Sequence, residues 1–447
     1  MSAIASGWSE ASIREVTSTP RKADPVTTGR ERVRYVDIGL LAGPTRHLVT
    51  APAVLSVEAP SRCRQVIADG DTLYSTVRPY LRKVALVGQG LDGHFASTGY
   101  SVLRPTPRIH PAYLYYFTLS SHFEEQILPL QKGVSYPAVL DREVRGQRIW
   151  FPQQDEQRRI VEILEDNLSG LERAVAGLNA TQKRLDVLER ALHQRALRGL
   201  LVPDDLGEGV GGDLVGGAQL LDPSTLDERV WDVPTTWAWV RLGDIFKVAV
   251  GTTPSRPDSS LWDGSIPWVS SGEVAFNRIR STKESISAEG VSNLQRRVHP
   301  SGTVMLAMIG EGKTRGQAAI LDINAAHNQN CASIRVSETP ILPEYVYAFL
   351  KERYLETRRG SSGGNQPALN KRRIESIPIP VPPLGTQRRI VEELDAIGIT
   401  TSYVRRACSE GLSRAAALRR AILAAAFEGK LTGRHTDTEV IEEMADV

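Results

Sequence analysis

The chain has 447 residues, of which 41% are hydrophobic and 24% are charged, so it has room for two to four domains of a globular, soluble protein. It contains no run of 18 apolar residues, and its first ten residues, MSAIASGWSE, lack both a basic start and an apolar stretch. We therefore expect neither a transmembrane helix nor a signal peptide. Three widely separated cysteines, Cys63, Cys331 and Cys408, favour a reducing cytoplasm and no metal site.

The net charge is only +2, but the charges are unevenly distributed. Residues 203–232 hold eight acidic residues and one basic residue, and residues 435–447 hold five acidic residues and no Lys or Arg. The rest of the chain has 53 basic and 39 acidic residues, a net charge of +14. A phosphate-binding surface requires such an excess, although a basic surface that is merely solvated would have the same composition.

The first 150 residues predict a mixed α/β domain. Short runs rich in β-branched and aromatic residues alternate with turns, which is typical of strands. These runs are RVRYVDIG at 32–39, DTLYST at 71–76, KVALVG at 83–88 and GYSVLRP at 99–105. A helix is predicted from about residue 111 to residue 126.

A long helix follows from Gln157 to Gly199, since more than 40 residues contain no proline. It begins after the proline-bearing segment FPQQDEQRR and ends at a glycine, as helices commonly do. At 1.5 Å per residue such a helix is roughly 60 Å long. Its apolar residues are spaced three and four apart, the pattern of a coiled-coil seam. They are Leu164, Leu168, Leu171, Val175, Leu178, Leu185, Leu188 and Leu192.

Residues 206–235 include the glycine-rich run LGEGVGGDLVGGAQL, which predicts a flexible acidic linker. A second α/β domain follows it, with a helix predicted over 343–357. Its predicted strands are SIPWVSSG at 265–272, GTVMLAMIG at 302–310, QAAILDI at 317–323 and CASIRVS at 331–337.

The second half repeats the first at a nearly constant offset. QRRIVEIL at 157–164 matches QRRIVEEL at 387–394, an offset of 230, and PAYLYYF at 111–117 parallels PEYVYAF at 343–349, an offset of 232. A second long helix is therefore predicted from Gln387 to Gly429. Its seam residues are Ile390, Leu394, Ile397, Val404, Cys408, Ala415, Leu418 and Ile422.

The two long helices are each other's natural partners, because one small domain cannot cover a rod of this length. We predict an antiparallel coiled coil, which places the two globular parts at opposite ends of the rod and creates an internal pseudo-two-fold symmetry. The simpler alternative is two ordinary amphipathic helices in separate cores. The predicted fold class is therefore two α/β (α+β) globular domains, each followed by a long helix. The predicted segments are 1–152 (first domain), 153–202 (first spacer helix), 203–235 (linker), 236–382 (second domain), 383–434 (second spacer helix) and 435–447 (acidic tail).

No catalytic constellation is evident in the sequence. There is no [DN]PP[YFW] methyltransferase motif and no cluster of histidines and cysteines. The segment AMIGEGKT at 307–314 approaches the phosphate loop GxxxxGK[ST], with Ala at the first position. A phosphate loop must open a helix, whereas RGQAAILDI follows here and favours a strand. An ATP-binding enzyme that uses the 307–314 loop stays as an alternative, and a turn between two strands is the simpler interpretation.

The polar loops between the strands carry side chains of the types that recognise DNA. Arg and Lys bind phosphates or guanine, Asn and Gln make bidentate contacts with adenine, and Ser and Thr are permissive. A solvated loop residue is the simpler interpretation for any one of them, but the set, the basic charge and the duplication together favour double-stranded DNA. The candidates in the first domain are Arg78, Tyr80, Arg82, Lys83, Lys132, Ser135 and Tyr136. Those in the second domain are Thr252, Thr253, Ser255, Arg256, Lys313, Arg315, Asn328, Gln329, Asn330, Asn365 and Gln366.

Two differing α/β units, each followed by a repeated long helix, resemble the specificity (S) subunit of type I restriction-modification enzymes. The resemblance covers about residues 1–434. Its most specific segments are WAWVRLGDI at 237–245, GTTPSRPDSSLWDGSIPWVSSGEV at 251–274, HNQNCASIRV at 327–336, NQPALNKRRIESIPIPVPPLGTQRRIVEELD at 365–395 and AILAAAFEGKLT at 421–432. The first half departs more from this pattern, because WSEASIREV is a weak form of the opening and no TPS-type loop follows it.

The resemblance implies that each globular domain is a target recognition domain for one half of a split DNA sequence. It implies that the helices act as a ruler and as the dock for two methyltransferase (M) subunits, with restriction (R) subunits joining later. S-adenosylmethionine and ATP would belong to those partners, so this chain is expected to be non-catalytic and to hold no cofactor and no metal. A coiled-coil scaffold without a DNA role is a further alternative.

Overall fold

The structure is a computed structural model, and it describes residues 7–133, 136–202, 209–225, 231–292, 298–310, 312–359 and 368–432. The chain forms two compact units. Unit 1 combines the chain up to Thr181 with the chain from Ala407 onward, and unit 2 is Gln182–Arg406. Each unit therefore contains one globular part together with segments of both long helices.

Unit 1 is built mainly from short strands and short helices. Its strands are β1 (Ser9–Ser12), β2 (Thr17–Ser18), β3 (Arg32–Val36), β4 (Thr45–Leu48), β5 (Ala53–Leu55), β6 (Cys63–Val66), β7 (Thr72–Ser75), β8 (Val84–Val87), β9 (Phe95–Ser97), β10 (Tyr100–Pro105) and β11 (Arg148–Phe151). Its helices are α1 (Ile13–Val16), α2 (Pro111–Thr118), α3 (Ser121–Ile127), α4 (Asp141–Arg145) and the start of α5 (Gln154–Leu197).

Most of these elements have a counterpart in unit 2, in the same order along the chain. Its strands are β12 (Ala238–Arg241), β13 (Val248–Val250), β14 (Trp262–Val269), β15 (Asn277–Ile279), β16 (Glu284–Ile286), β17 (Val304–Ala307), β18 (Ala318–Leu321), β19 (Ala326–His327), β20 (Cys331–Ile334) and β21 (Pro378–Val381). Its helices are α6 (Leu242–Ile245), α7 (Ala288–Ser292), α8 (Pro343–Glu352), α9 (Tyr354–Arg359), α10 (Lys371–Glu375) and the start of α11 (Leu384–Phe427).

The two units share the topology of their five-stranded and two-stranded sheets, whereas the third sheet has four strands in unit 1 and three in unit 2. The five-stranded sheet of unit 1 has the order β2-β10-β7-β8-β4, and that of unit 2 has the order β13-β20-β17-β18-β15. In both sheets the last pair is parallel and the other pairs are antiparallel. A strand near the start of each unit pairs with the strand that precedes its long helix, β1 with β11 and β12 with β21. The duplication seen in the sequence is therefore a duplication of the fold.

Each long helix has 44 residues and is about 66 Å long at 1.5 Å per residue. Both helices end two residues before the predicted glycines. Gly199 and Gly429 each adopt a φ of 71°, a left-handed conformation that favours glycine and stops the helix. The following residue closes the cap in both cases. The N–H of Leu200 donates to the carbonyl of Arg195 at 2.8 Å, and the N–H of Lys430 donates to the carbonyl of Ala425 at 3.0 Å.

The antiparallel pairing of the long helices is confirmed within each unit. In unit 1, Arg419 of α11 donates to Glu172 of α5 at 3.2 Å, and a Cβ at Gly411 would lie 3.0 Å from the side chain of Leu178. In unit 2, Arg405 of α11 binds both Asp186 and Glu189 of α5. Residue numbers thus rise along one helix as they fall along the other.

Some details of the sequence prediction were wrong. Leu188 was placed in the seam but is 52% exposed, because Leu185 and Leu192 fall on the covered face and Leu188 lies beside it. The helix predicted over 111–126 is two helices, since Ser120 ends α2 and caps α3 by accepting from the N–H of Phe123 at 3.4 Å. Likewise, Arg353 separates α8 from α9 within the helix predicted over 343–357.

The predicted flexible linker is ordered in much of its described part. The N–H of Gly211 donates to the carbonyl of Thr236 at 2.8 Å, and that of Leu221 donates to the carbonyl of Trp239 at 2.8 Å. Val215 is buried in the core of unit 2. A Cβ at Gly211 would lie 1.9 Å from the carbonyl oxygen of Val381, so a glycine is needed for this segment to lie against β21. Within the described residues, no helix combines the length and the apolar composition that crossing a bilayer requires.

Phe427, the last residue of α11, should be a main contributor to the stability of unit 1. Its ring is 1% exposed and makes edge-on contacts with Tyr113 and Phe117, with ring centroids 5.2 Å apart in each pair. We expect Phe427→Ala to lower the free energy of unfolding by about 3–5 kcal/mol, as large-to-small core changes do. Chemical denaturation measures this change.

Val57→Ala is the matched control, because Val57 is 79% exposed in the same unit. It should change the free energy of unfolding by no more than about 0.5 kcal/mol. Equal effects of the two substitutions would show that the end of α11 does not contribute to the core of unit 1.

Candidate nucleic-acid interface

Three polar segments of unit 2 leave the same end of its five-stranded sheet. Strand β13 ends at Val250, which pairs with Ala332 of β20, and β17 ends at Ala307, which pairs with Cys331 of β20. The segment after β13, the segment after β17 and the segment before β20 therefore emerge together. We call residues 251–260, 308–310, 312–317 and 326–330 the loop edge of unit 2.

The first and last of these segments are hydrogen-bonded to each other. The N–H of Thr252 donates to the carbonyl of His327 at 3.2 Å, and the hydroxyl of Thr253 donates to the side-chain oxygen of Gln329. A Cβ at Gly251 would lie 2.0 Å from the carbonyl oxygen of His327, so a glycine is needed for this close approach. Thr252 and Gln329 are exposed, and Asn330 is half-buried.

The guanidinium of Arg256 contacts the carboxylate of Glu284 and the indole rings of Trp262 and Trp268. It makes a two-pronged contact with the carboxylate of Glu284 and lies 3.9 Å from the ring centroid of Trp262 and 5.3 Å from that of Trp268. The hydrogen bond to Arg256 lowers the pKa of Glu284, so the carboxylate stays charged and the ion pair persists. The sequence pointed to Arg256 and to Ser255, whose carbonyl accepts from the indole of Trp262 at 3.0 Å, but it gave no signal for Glu284.

Two of the predicted side chains lie inside the protein rather than on its surface. Asn328 is buried, and its side-chain oxygen accepts from the N–H of Asn330 at 3.0 Å, which closes the turn before β20. Arg315 is 8% exposed, and its carbonyl accepts from Arg358 at 3.1 Å. Both residues therefore shape the loop edge, and neither presents a readily accessible polar group there.

Lys313 is exposed on the turn between β17 and β18. The hydroxyl of Tyr354 donates to its carbonyl at 2.5 Å, which fixes the backbone while leaving the ammonium group outside. The turn continues through residue 316 and leads into β18, so no helix follows the 307–314 segment. A phosphate loop needs such a helix N-terminus, and the ATP-binding alternative therefore lacks its structural basis.

The loop edge of unit 2 contains one buried histidine, His327, whose ring packs against that of His299. The rings of His299 and His327 are 4.9 Å apart, and each residue is 2% exposed. The Nδ1 of His327 lies 3.0 Å from the carbonyl oxygen of Asn328, to which it donates when it carries the hydrogen. The Nε2 of His299 lies 3.3 Å from the hydroxyl of Ser333 on β20. Sequence analysis missed both histidines, which are far apart in the chain.

Unit 1 presents an equivalent edge. Strand β7 ends at Ser75, which pairs with Tyr100 of β10, and the turn to β8 follows it. The N–H of Arg78 donates to the carbonyl of Pro137 at 2.7 Å, and the N–H of Val139 donates to the carbonyl of Thr76 at 2.9 Å. We call residues 76–83, 131–133 and 136–139 the loop edge of unit 1. Its 76–83 turn occupies the same topological position as the turn carrying Lys313 in unit 2.

Arg78 is the most distinctive side chain of this edge. Its φ of 50° is a left-handed conformation that a non-glycine residue adopts only at a cost in free energy. The guanidinium lies 4.5 Å from the ring centroid of Tyr136, which is 70% exposed. Its Nε is buried and has no hydrogen-bond partner among the described residues. Tyr80, on the same turn, is 48% exposed.

The other cations of this edge have partners. Arg82 forms an ion pair with Glu124 of α3, and the ammonium of Lys83 donates to the carbonyl of Ile38 at 3.2 Å. Lys132 is 3.6 Å from Glu143, but its side chain is 77% exposed. The remaining candidates, Ser135, Asn365 and Gln366, lie outside the described residues. Across the described ranges, no group of three or more His, Cys, Asp or Glu side chains is placed to hold a metal ion.

A family model described as the type I restriction modification DNA specificity domain matches residues 8–175 and again residues 234–406. These two matches cover more than half of the chain and coincide with the two copies of the fold. The chain belongs to this DNA specificity domain family. The resemblance seen in the sequence is confirmed, and so is the predicted fold class of two α/β parts, each followed by a long helix.

Relatives in the specificity family show the same relationship. The Escherichia coli type I restriction enzyme EcoR124I/EcoR124II specificity subunit is 29% identical over 185 residues, which are 40% of this chain and 45% of that protein. The match therefore spans less than half the length of this relative.

Solved structures of the specificity family match over almost the whole chain. One was solved in work on complex assembly and conformational transition of the type I R-M system. It is 26% identical, covers 96% of this chain and 100% of its own, and has a TM-score of 0.75. The HsdS subunit from Thermoanaerobacter tengcongensis is 25% identical, covers 96% and 98%, and has a TM-score of 0.57.

The buried histidine within the loop edge of unit 2 predicts a pH dependence of stability. Burial lowers the pKa of His327 from 6.5 to about 4. As the pH falls, the imidazole of His327 therefore binds a proton near pH 6.5 in the unfolded chain but only near pH 4 in the folded chain. This contribution to stability is present above pH 6.5 and is lost as the pH falls from 6.5 to 4, by about 3 kcal/mol.

Urea denaturation between pH 7.5 and pH 4.5 measures this dependence. His327→Asn removes the titrating group, so its free energy of unfolding should fall less steeply with pH than that of the wild type. Parallel pH profiles for the two proteins would contradict this assignment.

Proposed function

We propose that this chain is the sequence-specific DNA-binding specificity subunit of a type I restriction-modification complex. Each loop edge recognises one half of a split double-stranded DNA site. The observation that carries the proposal is the duplicated topology, in which the same sheet order twice presents a polar loop edge from a domain joined to a long helix. The loop sequences differ between the copies, which suits two different half-sites.

The two loop edges differ in chemistry as well as in sequence. The edge of unit 1 offers an aromatic-stacked guanidinium at Arg78 and the exposed rings of Tyr80 and Tyr136. The edge of unit 2 offers the exposed ammonium of Lys313 and the amide of Gln329. Guanidinium and ammonium groups bind guanine or phosphate, whereas an amide binds adenine, so different base preferences follow.

The proposed partners are two methyltransferase subunits that dock on the paired helices, together with restriction subunits. S-adenosylmethionine and ATP would be bound by those partners, and this chain would contribute binding rather than catalysis. All three cysteines are free thiols and are buried, and the cytoplasm is the compartment that we propose for them.

The decisive experiment is to co-purify the chain with its methyltransferase and to map methylated bases in the genome of the producing cell. The proposal predicts methylation at a two-part motif. Exchange of residues 1–150 or of 236–380 for the corresponding domain of a relative should change one half of the motif only. An undivided motif, or no associated methyltransferase, would contradict the proposal.

Single cations at the loop edges should also affect DNA binding by the isolated chain. We expect Arg78→Ala to weaken binding by about 1–3 kcal/mol at a site containing the correct base pair if Arg78 contacts a base. If it contacts a phosphate, binding should weaken for all sequences. The slope of the logarithm of the binding constant against the logarithm of the salt concentration should then decrease in magnitude by about 1. Fluorescence anisotropy with duplexes at several salt concentrations distinguishes these outcomes.

Arg158→Ala is the charge-matched control, because Arg158 lies on α5, outside the loop edge, and pairs with Asp155. Equal losses for the two variants would indicate that only net charge matters. No loss for Arg78→Ala would remove this residue from the interface, and the same substitution at Lys313 tests unit 2. A chain that binds no duplex at all would favour the scaffold alternative.

The long helices should set the distance between the two half-sites. One heptad inserted into both α5 and α11 adds about 10 Å to each helix, or about three base pairs of DNA at 3.4 Å per pair. We expect the methylated motif to keep the bases of both halves and to gain a longer non-specific gap. Methylome sequencing measures the gap, and an unchanged gap would show that the helices are not a ruler.

A further inference from the structure

Two buried polar side chains connect each globular part to its long helix, and the arrangement occurs in both units. Gln157 of α5 is 1% exposed, and Gln387 of α11 is fully buried. Tyr113 of α2 and Tyr345 of α8 are also fully buried. A glutamine or a tyrosine at such positions needs hydrogen-bond partners, since an unsatisfied buried polar group destabilises the fold.

Each glutamine bridges backbone groups of its own unit. The side-chain oxygen of Gln157 accepts from the N–H of His110 at 2.7 Å, and its amide donates to the carbonyls of Pro152 at 2.9 Å and Arg108 at 3.2 Å. Gln387 repeats the first two of these hydrogen bonds, with the N–H of Leu342 at 2.9 Å and the carbonyl of Pro382 at 2.9 Å. His110 and Leu342 directly precede α2 and α8, so each bridge ties the start of a short helix to the start of a long one.

Each tyrosine adds a hydrogen bond between the short helix and the strand that precedes the long helix. The hydroxyl of Tyr113 donates to the carbonyl of Trp150 in β11 at 3.0 Å, and that of Tyr345 donates to the carbonyl of Pro380 in β21 at 2.6 Å. Burial raises the pKa of both phenols well above their usual value, so each hydroxyl stays protonated and remains a donor. We call each glutamine with its tyrosine a helix joint.

The helix joints are mechanically linked to the loop edges. Helix α2 packs on β7 and β8, and α8 packs on β17 and β18. These are the strands whose connecting turns carry Arg78 in unit 1 and Lys313 in unit 2. The short helix therefore contacts both the sheet that carries the loop edge and, through the joint, the long helix.

Hydrogen bonds at the helix joints restrict the orientation of the elements they connect, which apolar contacts do not. Apolar side chains attract without strong direction, so a core of them tolerates small rotations of one element against another. A buried hydrogen bond is directional and is costly to leave unmade. Two such contacts on each short helix therefore restrict the angle between the sheet and the long helix more than they add to net stability.

We infer that Gln157 with Tyr113, and Gln387 with Tyr345, are positioning residues that fix the length of the non-specific gap. By holding each sheet at a set angle to its long helix, they restrict which half-site separations both loop edges reach at once. The inference rests on the proposed function, because a gap exists only if the two units recognise a split site.

The test uses the full chain expressed with its own methyltransferase, with methylation mapped across the genome. Gln157→Met and Gln387→Met keep the length of the side chain and remove all of its hydrogen bonds, three at Gln157 and two at Gln387. Tyr113→Phe and Tyr345→Phe remove one hydroxyl each. We expect both half-site sequences to stay unchanged. Discrimination against sites one base pair longer or shorter should fall about tenfold in each methionine variant, and less in each phenylalanine variant.

Val33→Ala is the control for loss of stability alone, since Val33 is 1% exposed in a small core of unit 1 that contains neither joint residue. It should lower the melting temperature and leave the gap unchanged. If Gln157→Met and Gln387→Met reduce methylation evenly at the native gap, as Val33→Ala does, the positioning role is wrong. If a methionine variant fails to accumulate, the phenylalanine variants decide, because each loses a single oxygen atom.

The two hypotheses fail in different ways. A wild-type chain that produces no split motif overturns the proposed function. A wild-type chain with a split motif, and joint variants with the wild-type gap distribution, overturns the positioning role alone.

Discussion

The constraint on which the structure depends is that a helix of 44 residues cannot bury its apolar stripe alone. Because the pairing is antiparallel, residues from the start of α5 and the end of α11 share one core in unit 1, and residues from the end of α5 and the start of α11 share one in unit 2. Each core is therefore built from both halves of the sequence. Phe427, near the end of the described chain, packs among residues 113–117 for this reason.

Intramolecular ion pairs decide which cations of the loop edges are available to a polyanion. Glu124 forms an ion pair with Arg82, and Glu284 forms one with Arg256. These carboxylates offset the attraction of the two arginines for a phosphate backbone of any sequence. Arg78 and Lys313 have no such carboxylate among the described residues. Under the proposed function, such a surface, with few free cations and several restrained ones, would bind DNA weakly without a matching sequence, as a protein that selects among many sites requires.

The long helices could be predicted because their apolar periodicity extends over many residues. Many of the short elements could not, because their local sequence is ambiguous. A seam of three and four spacing over 40 residues and a terminal glycine determine a helix locally, so α5 and α11 were predicted within a few residues. Strands of two or three residues, such as β2 and β19, depend on partners far away in the chain and leave no local signal. For the same reason the sequence showed Arg315 and Asn328 as loop residues but not their burial, and it gave no sign that Glu284 meets Arg256.

The two copies differ at the loop edges, where the side-chain chemistry can vary, and agree at the helix joints, where the geometry has to be kept. The turn after β7 is VRPYLRK and the turn after β17 contains GKTRG, so the loop edges share no side-chain pattern. The joints keep the same two residue types, with matching partners and similar distances. A turn at the end of a sheet can be exchanged without disturbing the core, whereas replacing a buried joint glutamine removes two or three hydrogen bonds at once. Under the proposed function, base preference would therefore vary independently of spacing, because a different part of the same unit would determine each.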